Sequence, residues 1–406
     1  MSARLTGQTW LTAEATRAVM DALEAEGGPD CARFVGGCVR NALIGAPVDD
    51  IDIATTLTPE RTERAIRAGG LKAVPTGIAH GTVTAVAEHR PFEITSLRRD
   101  VSTDGRKATV VFTDDWAEDA GRRDFRLNAL YADGKGVLFD PTGHGVADAE
   151  AGRIVFVGDP DTRIREDFLR ILRFFRFFAW YGRGAPDEAA LAACRALAPA
   201  IDRLSAERVS KELIKLMSAP DPVAAVLAMN GAGVLAAVLP EARLTPAFVA
   251  AVKISEDPVV RLSALLPVDA TLARQAASRL RFPNRWRDRL TAAAETAPAV
   301  RLDMSPAEAR AVLYRHGRQA CEDAVRRVWS AAEGRSAEAE SLLRLAADWT
   351  APRLPVGGRE VARLGLEPGP ETGRVLKAFE DGWIADDFPT EGHQARLESL
   401  INGLRG

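Results

Sequence analysis

The chain has 406 residues, with 53 Lys and Arg against 56 Asp and Glu, and a formal net charge of −3. With 47% hydrophobic and 27% charged residues it has the composition of an ordinary soluble protein, long enough for about two to four domains. No membrane span is expected, and the net charge carries no global nucleic-acid signal.

In chain order, the N-terminal stretch has early acidic residues and no apolar core, so a signal peptide is not expected. Cysteines 31, 38, 194 and 321 show no C-x-x-C or metal spacing and read as free thiols of a reducing cytoplasm. A helix is expected over 12–27, a strand over 32–35, a Gly36-Gly37 turn, a helix over 39–44 and a strand over 50–55. Thr58-Pro59-Glu60 is a helix start, with Thr as N-cap and Pro in the first turn, and Gly69-Gly70 ends that helix. Segments 81–89 and 92–98 alternate as a strand pair joined by a short turn. The polar segment 99–107 reads as a mobile loop ahead of a strand over 108–112. After Gly152 helical periodicity takes over to the end, with candidate boundaries at 157–160, 219–222 and 351–358. An α/β head on a long helical remainder is the architecture this predicts.

Four clusters carry chemistry. Gly36-Gly37 lets the backbone approach an anion, the following helix offers its N-terminus, and Arg40 can meet a phosphate bidentately. Asp50 and Asp52 point to one face of a strand, whose other face is apolar through Ile51 and Ile53. Two such carboxylates beside an anion-binding turn suit magnesium and a triphosphate. Glu93, on a neighbouring strand, is a candidate third carboxylate for a two-metal phosphoryl transfer. Arg122-Arg123-Asp124 follows. Arg123 can meet phosphate or ribose, and Asp124 and Asn128, four apart, would share a helix face and read ribose hydroxyls.

The fourth cluster is expected to be one helix over 163–182. There Asp167, Arg170 and Arg173 lie along one band, with Arg176 at its edge, among Phe168, Leu169, Ile171, Leu172 and Phe175. Glu166 precedes Arg170 by four and would hold its guanidinium still. Further on, residues 274–289 carry six arginines and one acid, interleaved with Phe282 and Trp286; this is either an RNA-backbone patch or a solvated helix face.

Taken together, G-G-x-V-R, D-I-D, R-R-D-F-x-x-N-A, E-D-x-x-R-I-L-R and Glu207-Arg208-Val209-x-x-Glu212-Leu213 resemble the ordered motifs of class II tRNA nucleotidyltransferases. These are the CCA-adding enzymes, with bacterial poly(A) polymerases as close relatives. The resemblance spans residues 30–217, and the segment 94–124 is similar to that of full CCA-adding members, including their flexible loop. It implies an α+β fold: a nucleotidyltransferase (polymerase-β-like) head with a small mixed sheet over 1–152, a helical base-reading neck over 153–219, and an all-α body and tail over 220–406 that hold tRNA.

Carried over by motif, Asp50 and Asp52 would bind Mg2+, and Gly37, Arg40 and Arg123 would bind the nucleotide. From the residues themselves, Glu93 joins the catalytic candidates, and Gly36, Asp124 and Asn128 the nucleotide-binding ones. Asp167 and Arg170 are similar to the family's amino-acid template, and Arg173 and Arg176 to its further nucleotide-binding arginines. A carboxylate beside a guanidinium suits cytosine and adenine, each of which shows an amino donor next to a ring-nitrogen acceptor. Uracil and guanine show the reverse and would leave two groups unpaired. Asn41 stands where the family usually has Asp, and Arg126 where members often have Thr. No His is followed by Asp, so an appended phosphohydrolase domain is not expected.

The implied function is addition of C, C and A to the tRNA 3′ end from CTP and ATP. The alternatives are a CC- or A-adding partial enzyme, a poly(A) polymerase, or a non-catalytic RNA-binding protein. Expected partners are tRNA, CTP and ATP, with no membrane, in a cytoplasmic monomer or homodimer.

Overall fold

The computed structural model describes residues 4–78, 81–104 and 107–405. It divides into two units, 1–240 and 241–406. The first unit is built on a seven-stranded mixed sheet. Its strands are β1 (Ala32–Val35), β2 (Ile51–Thr55), β3 (Lys72–Gly77), β4 (Thr82–Ala87), β5 (Arg90–Ser96), and, after a separate ribbon of β6 (Arg98–Asp104) and β7 (Lys107–Phe112), β8 (Tyr131–Ala132) and β9 (Leu138–Phe139). The order across the sheet is β3-β4-β5-β2-β1-β8-β9. All neighbours run antiparallel except β2 and β5, which are parallel.

Strand alternation decides which face each residue serves. Phe34, Ile53, Ile94, Val83 and Ala85 are fully buried, and helices Glu14–Gly27 and Pro59–Ala68 pack against β1 and β3–β5. The opposite face carries Asp52 and Glu93, flanked by a smaller apolar cluster of Val35, Ala54, Leu97, Ala120, Ala129 and Tyr131. The helix Pro59–Ala68 begins as its sequence indicates: Thr58 accepts from the Arg61 amide, Pro59 takes the first turn, and Gly69 caps the end.

Four expectations are corrected. The 12–27 helix is two helices, Thr9–Thr12 and Glu14–Gly27, parted at the extended Ala13. The segment read as a loop over 99–107 is mostly strand. β6 pairs antiparallel with β7 from Arg98↔Phe112 to Asp104↔Lys107, with an irregularity between Asp100 and Ser102; residues 105 and 106 lie outside the described ones. The single helix over 163–182 is also two, Pro160–Glu166 and Leu169–Tyr181, because Asp167 adopts an extended conformation between them. Asp124 and Asn128 share no helix face, since only a 3-10 turn, Arg126–Asn128, forms there.

After Ala151 the described residues are helical almost throughout. In the second unit two apolar clusters stand out. One gathers Val300, Leu302, Met304, Ala324, Val325 and Leu342, the other Val361, Val375, Phe379, Trp383, Leu397 and Ile401. Asp257, Asp269 and the Ser305–Glu308 capping box start three of its helices. Phe282 and Trp286 belong to the interior, so the 274–289 stretch offers no stacking platform from them. Of its arginines, Arg274, Arg279, Arg287 and Arg289 are ion-paired. No described helix is long and apolar enough to cross a membrane.

Candidate active site

The carboxylates come together by strand register. Asp52 lies on β2 directly beside Glu93 on the parallel β5, and Asp50 stands at the entrance to β2, just outside the strand. Asp52 is partly buried, whereas Asp50 and Glu93 are exposed. Burial, then Glu93, then Asp50 push the Asp52 carboxyl up to about 6, against an opposing pull from Arg123. This surplus of negative charge fits a hard cation. Among the described residues no group of three or more His, Cys, Asp or Glu forms a ready-made metal cage.

Gly36 has φ 71° and ψ −119°, a backbone that favours glycine, and leads straight into the helix Gly37–Leu43. The turn lies close to Arg123: a Cβ on Gly36 would sit 3.8 Å from Arg123 Nη1. Arg123 itself is fixed from behind. Its Nε donates to Asp119 Oδ2 and the Tyr131 hydroxyl, both at 3.2 Å, and its Nη2 donates to Asp119 Oδ2 at 2.9 Å. Arg122 pairs with the other oxygen of the same carboxylate at 2.6 Å. Asp119 is almost fully buried, which alone would raise its pKa. Arg123 and Arg122 outweigh that and hold the carboxyl down at about 2. Sequence reading missed Asp119. Its signal was an acid three and four residues ahead of two arginines in EDAGRRD.

Arg40 is not a free phosphate clamp. It is buried, and four of its five N–H donors are taken. Nε and Nη2 reach Asn41 Oδ1 at 3.1 and 2.9 Å, Nη1 reaches Asn128 Oδ1 at 2.5 Å, and Nη2 reaches the Tyr181 hydroxyl at 2.8 Å. Its guanidinium also lies over the Tyr181 ring, 3.9 Å from the centroid. Asn41, the departure from the family pattern, therefore orients Arg40; Arg126, the other departure, lies 3.7 Å from Asp148.

The same network continues to the helix Leu169–Tyr181. Asn128 Nδ2 donates to Asp124 Oδ1 at 3.1 Å, so the pair predicted from spacing does meet, without a helix. Asp124 Oδ2 accepts from Arg173 Nε at 2.8 Å and Nη2 at 2.5 Å. Asp124 is thus spoken for by an arginine in this structure, and Arg173 by an aspartate. Arg176 pairs with the buried Glu212 at 2.5 Å.

At the break between the helices Pro160–Glu166 and Leu169–Tyr181, Asp167 caps the second: Oδ1 accepts from the Leu169 amide at 3.1 Å. Its Oδ2 accepts from Arg208 Nη2 at 2.6 Å. Arg170 is held by Glu166 at 2.5 Å, as predicted, and by the carbonyls of Arg163 and Arg122 at 2.8 and 3.2 Å. Its Nε–H and one Nη2 hydrogen are left over. The Arg170 amide donates to the Asp167 carbonyl at 2.9 Å, while the two side chains have separate anchors, which leaves both with capacity for a ligand. Arg208 and Glu212 lay in a motif the sequence displayed, but their partners, Asp167 and Arg176, were visible only in three dimensions.

Residues 32–155 match the family described as "Poly A polymerase head domain", and residues 185–244 match "Probable RNA and SrmB- binding site of polymerase A". These matches define a nucleotidyltransferase of the poly(A) polymerase superfamily. The mitochondrial CCA tRNA nucleotidyltransferase 1 of Homo sapiens is 31% identical over 393 residues, 92% of this chain and 86% of that one. The CCA-adding enzyme of Streptococcus gordonii is 40% identical over 191 residues, 47% of this chain and 46% of its own. The crystal structure of the Bacillus stearothermophilus CCA-adding enzyme in complex with CTP superposes with a TM-score of 0.77 at 24% identity, covering 97% of this chain and 98% of that one. The chain belongs to the CCA tRNA nucleotidyltransferase family.

Proposed function

We propose that this protein is a magnesium-dependent enzyme that adds C, C and A to the 3′ end of tRNA, using CTP and ATP and releasing pyrophosphate. The observation that carries the reading is Asp52 paired across strands with Glu93, with Asp50 and Arg123 close enough to act on its charge, in a chain similar along most of its length to CCA-adding relatives. Asp50 and Asp52 would hold magnesium, which when bound neutralises the triphosphate and activates the attacking 3′-hydroxyl. Glu93 adds to the local negative charge that favours the cation. Arg123, braced by Asp119 and Tyr131, offers a cation that need not reorganise as charge develops on the transferring phosphoryl group. Arg40, held by Asn41, Asn128 and Tyr181, would reach phosphate by exchanging one of those partners.

Selection of the base falls to Asp167 and Arg170. The free lone pairs of Asp167 would accept the N4 or N6 amino group. The remaining hydrogens of Arg170 would donate to N3 of cytosine or N1 of adenine. Asp124, Asn128, Arg173 and Arg176 would form the floor beneath them. In this reading 1–152 is the catalytic head, 153–219 the base-reading neck and 220–406 the tRNA-holding body and tail of a cytoplasmic monomer or homodimer.

The test is to incubate tRNA ending at the discriminator base with CTP, ATP and magnesium, and to sequence the 3′ ends. Ends in CCA support the proposal. Oligo(A) tails would favour a poly(A) polymerase, the activity named by the matched head family. Ends in CC, or A added only to CC-ended tRNA, would mark a partial enzyme, and unextended ends a non-catalytic RNA-binding protein.

A further inference from the structure

Within the unit 241–406 lies a cavity of about 550 Å³, bordered by residues of the helices Pro258–Leu265 and Arg318–Ser330 and of the segments that follow them. Its walls are mainly apolar, from Ala264, Leu266, Pro267 and Val328, and Val268 at its edge is 54% exposed. The only charged residues lining it are Arg243 and Arg327; no acid does. Arg327 is 9% exposed, and its guanidinium donates to a single acceptor, the Leu266 carbonyl. Its Nε–H has no partner. Burial alone accounts for the lowering of its pKa to about 10, with no neighbouring charge contributing.

A buried guanidinium is ordinarily compensated by a carboxylate, because the uncompensated charge is expensive. Arg289, in the same unit, shows the usual solution, with Asp257 and Asp323 both at 2.8 Å. Arg327 has charge, unused donors and an apolar chamber beside it, but no acid. The volume falls in the range of small-molecule sites, which are mostly apolar with few polar anchors.

We propose that this cavity binds a small amphipathic anion, whose carboxylate meets Arg327 and whose apolar body lies against Leu266, Pro267, Val268 and Val328. An RNA backbone suits the site poorly: it would bring several phosphates to one buried cation and set ribose hydroxyls against walls that cannot pair with them.

The experiment is calorimetric titration of the full-length protein with octanoate, and with octanol and inorganic phosphate as separate probes. Octanoate should bind at one site, with octanol and phosphate each about tenfold or more weaker, since a charged hydrogen bond and apolar burial both contribute. Arg327→Met should lose octanoate about tenfold or more, while Arg327→Lys retains part of it. Ala247→Phe narrows the cavity with Arg327 intact; it should lose octanoate as well, and it decides the matter if Arg327→Met fails to fold. The proposal is overturned if octanol binds as tightly as octanoate, if phosphate alone does, if both Arg327→Met and Ala247→Phe bind octanoate unchanged, or if the wild type gives no saturable heat.

Discussion

Replacing Asp52 by Asn is expected to make the protein inactive and, at neutral pH without divalent cations, more stable. The Asp52 carboxyl titrates at about 6 in the fold against 3.8 ordinarily, because burial, Glu93 and Asp50 all disfavour its charge while Arg123 only partly offsets them. Its folded pKa is raised, so between these two values the folded chain holds a proton that the unfolded chain has released. Stability therefore falls as pH rises from about 4 to 6 and stays lower above that window. At about 1.4 kcal/mol per unit the full shift corresponds to ~3 kcal/mol. Asp52 is only partly buried, so solvent screening brings the expected gain to about 1–2 kcal/mol. The assay is urea unfolding of wild type and Asp52→Asn with EDTA present, at about pH 7.5 and at about pH 4. The variant should be the more stable at the higher pH and indistinguishable at the lower, where Asp52 is largely protonated in the folded chain and half-protonated in the unfolded one. Adding magnesium should close the gap at the higher pH by stabilising the wild type alone. Equal stabilities at about pH 7.5 would refute the argument that these carboxylates form an uncompensated cluster. A variant that still incorporated CTP at the wild-type rate would refute the catalytic assignment separately.

Asp50→Ala should also abolish incorporation of both nucleotides while leaving the circular dichroism spectrum intact, because Asp50 is exposed and outside the strand. Asp167→Ala should lower the ratio of kcat/KM for CTP over UTP by roughly ten- to a hundredfold, and Arg208→Ala should move it the same way by less, since Arg208 only orients Asp167; unchanged ratios would mean that the base is read elsewhere. Asp119→Asn leaves Arg122 and Arg123 without their shared counter-charge and should cost about 3–5 kcal/mol in urea unfolding. Because the folded pKa of Asp119 is depressed to about 2, its contribution is present above the unfolded value near 3.8 and is lost as pH falls between the two, so the acid limb of the stability curve should flatten in the variant. Deleting residues 99–107 should leave tRNA ending in CC, read by sequencing the 3′ ends; equal loss of C and A addition would instead point to a damaged head.

The parts of the site that sequence reading captured are those in which one short segment carries both the pattern and its partner. The apolar flanks of Asp52 fixed its face, Thr58-Pro59 marked a helix start, and Glu166 was correctly paired with Arg170. It failed where a long-range contact overrode local periodicity. The helical spacing of Asp167 with Arg170 and Arg173 was real, but Arg208, 41 residues on, draws the Asp167 carboxylate while its other oxygen caps the next helix, and the chain breaks there. Asp124 and Asn128 suggested a helix face, whereas Arg173 and Arg40 supply partners that a non-helical turn serves equally well. The polar composition of 99–107 suggested a loop, whereas β6 and β7 pair through their backbones, which side-chain polarity does not reveal. The stretch around Phe282 and Trp286 left an RNA-backbone patch and a solvated helix face both open, and the burial of these two rings could not be read from a single basic stretch.

The parallel pairing of β2 with β5 has a consequence for how errors in this protein would reveal themselves. Asp52 meets Glu93 only because Ile51 and Ile53 run level with Phe92 and Ile94 on the buried side. A slip of one residue would turn Glu93 away and push Phe92 and Ile94 into water, so apolar matching on the hidden face acts as the ruler that aligns charge on the working face. Small volume changes at Ile53 or Ile94, remote from any substrate, are therefore a way to detune the chemistry by fractions of an ångström. A chain that misassembles there loses its core and its carboxylate cluster in the same event.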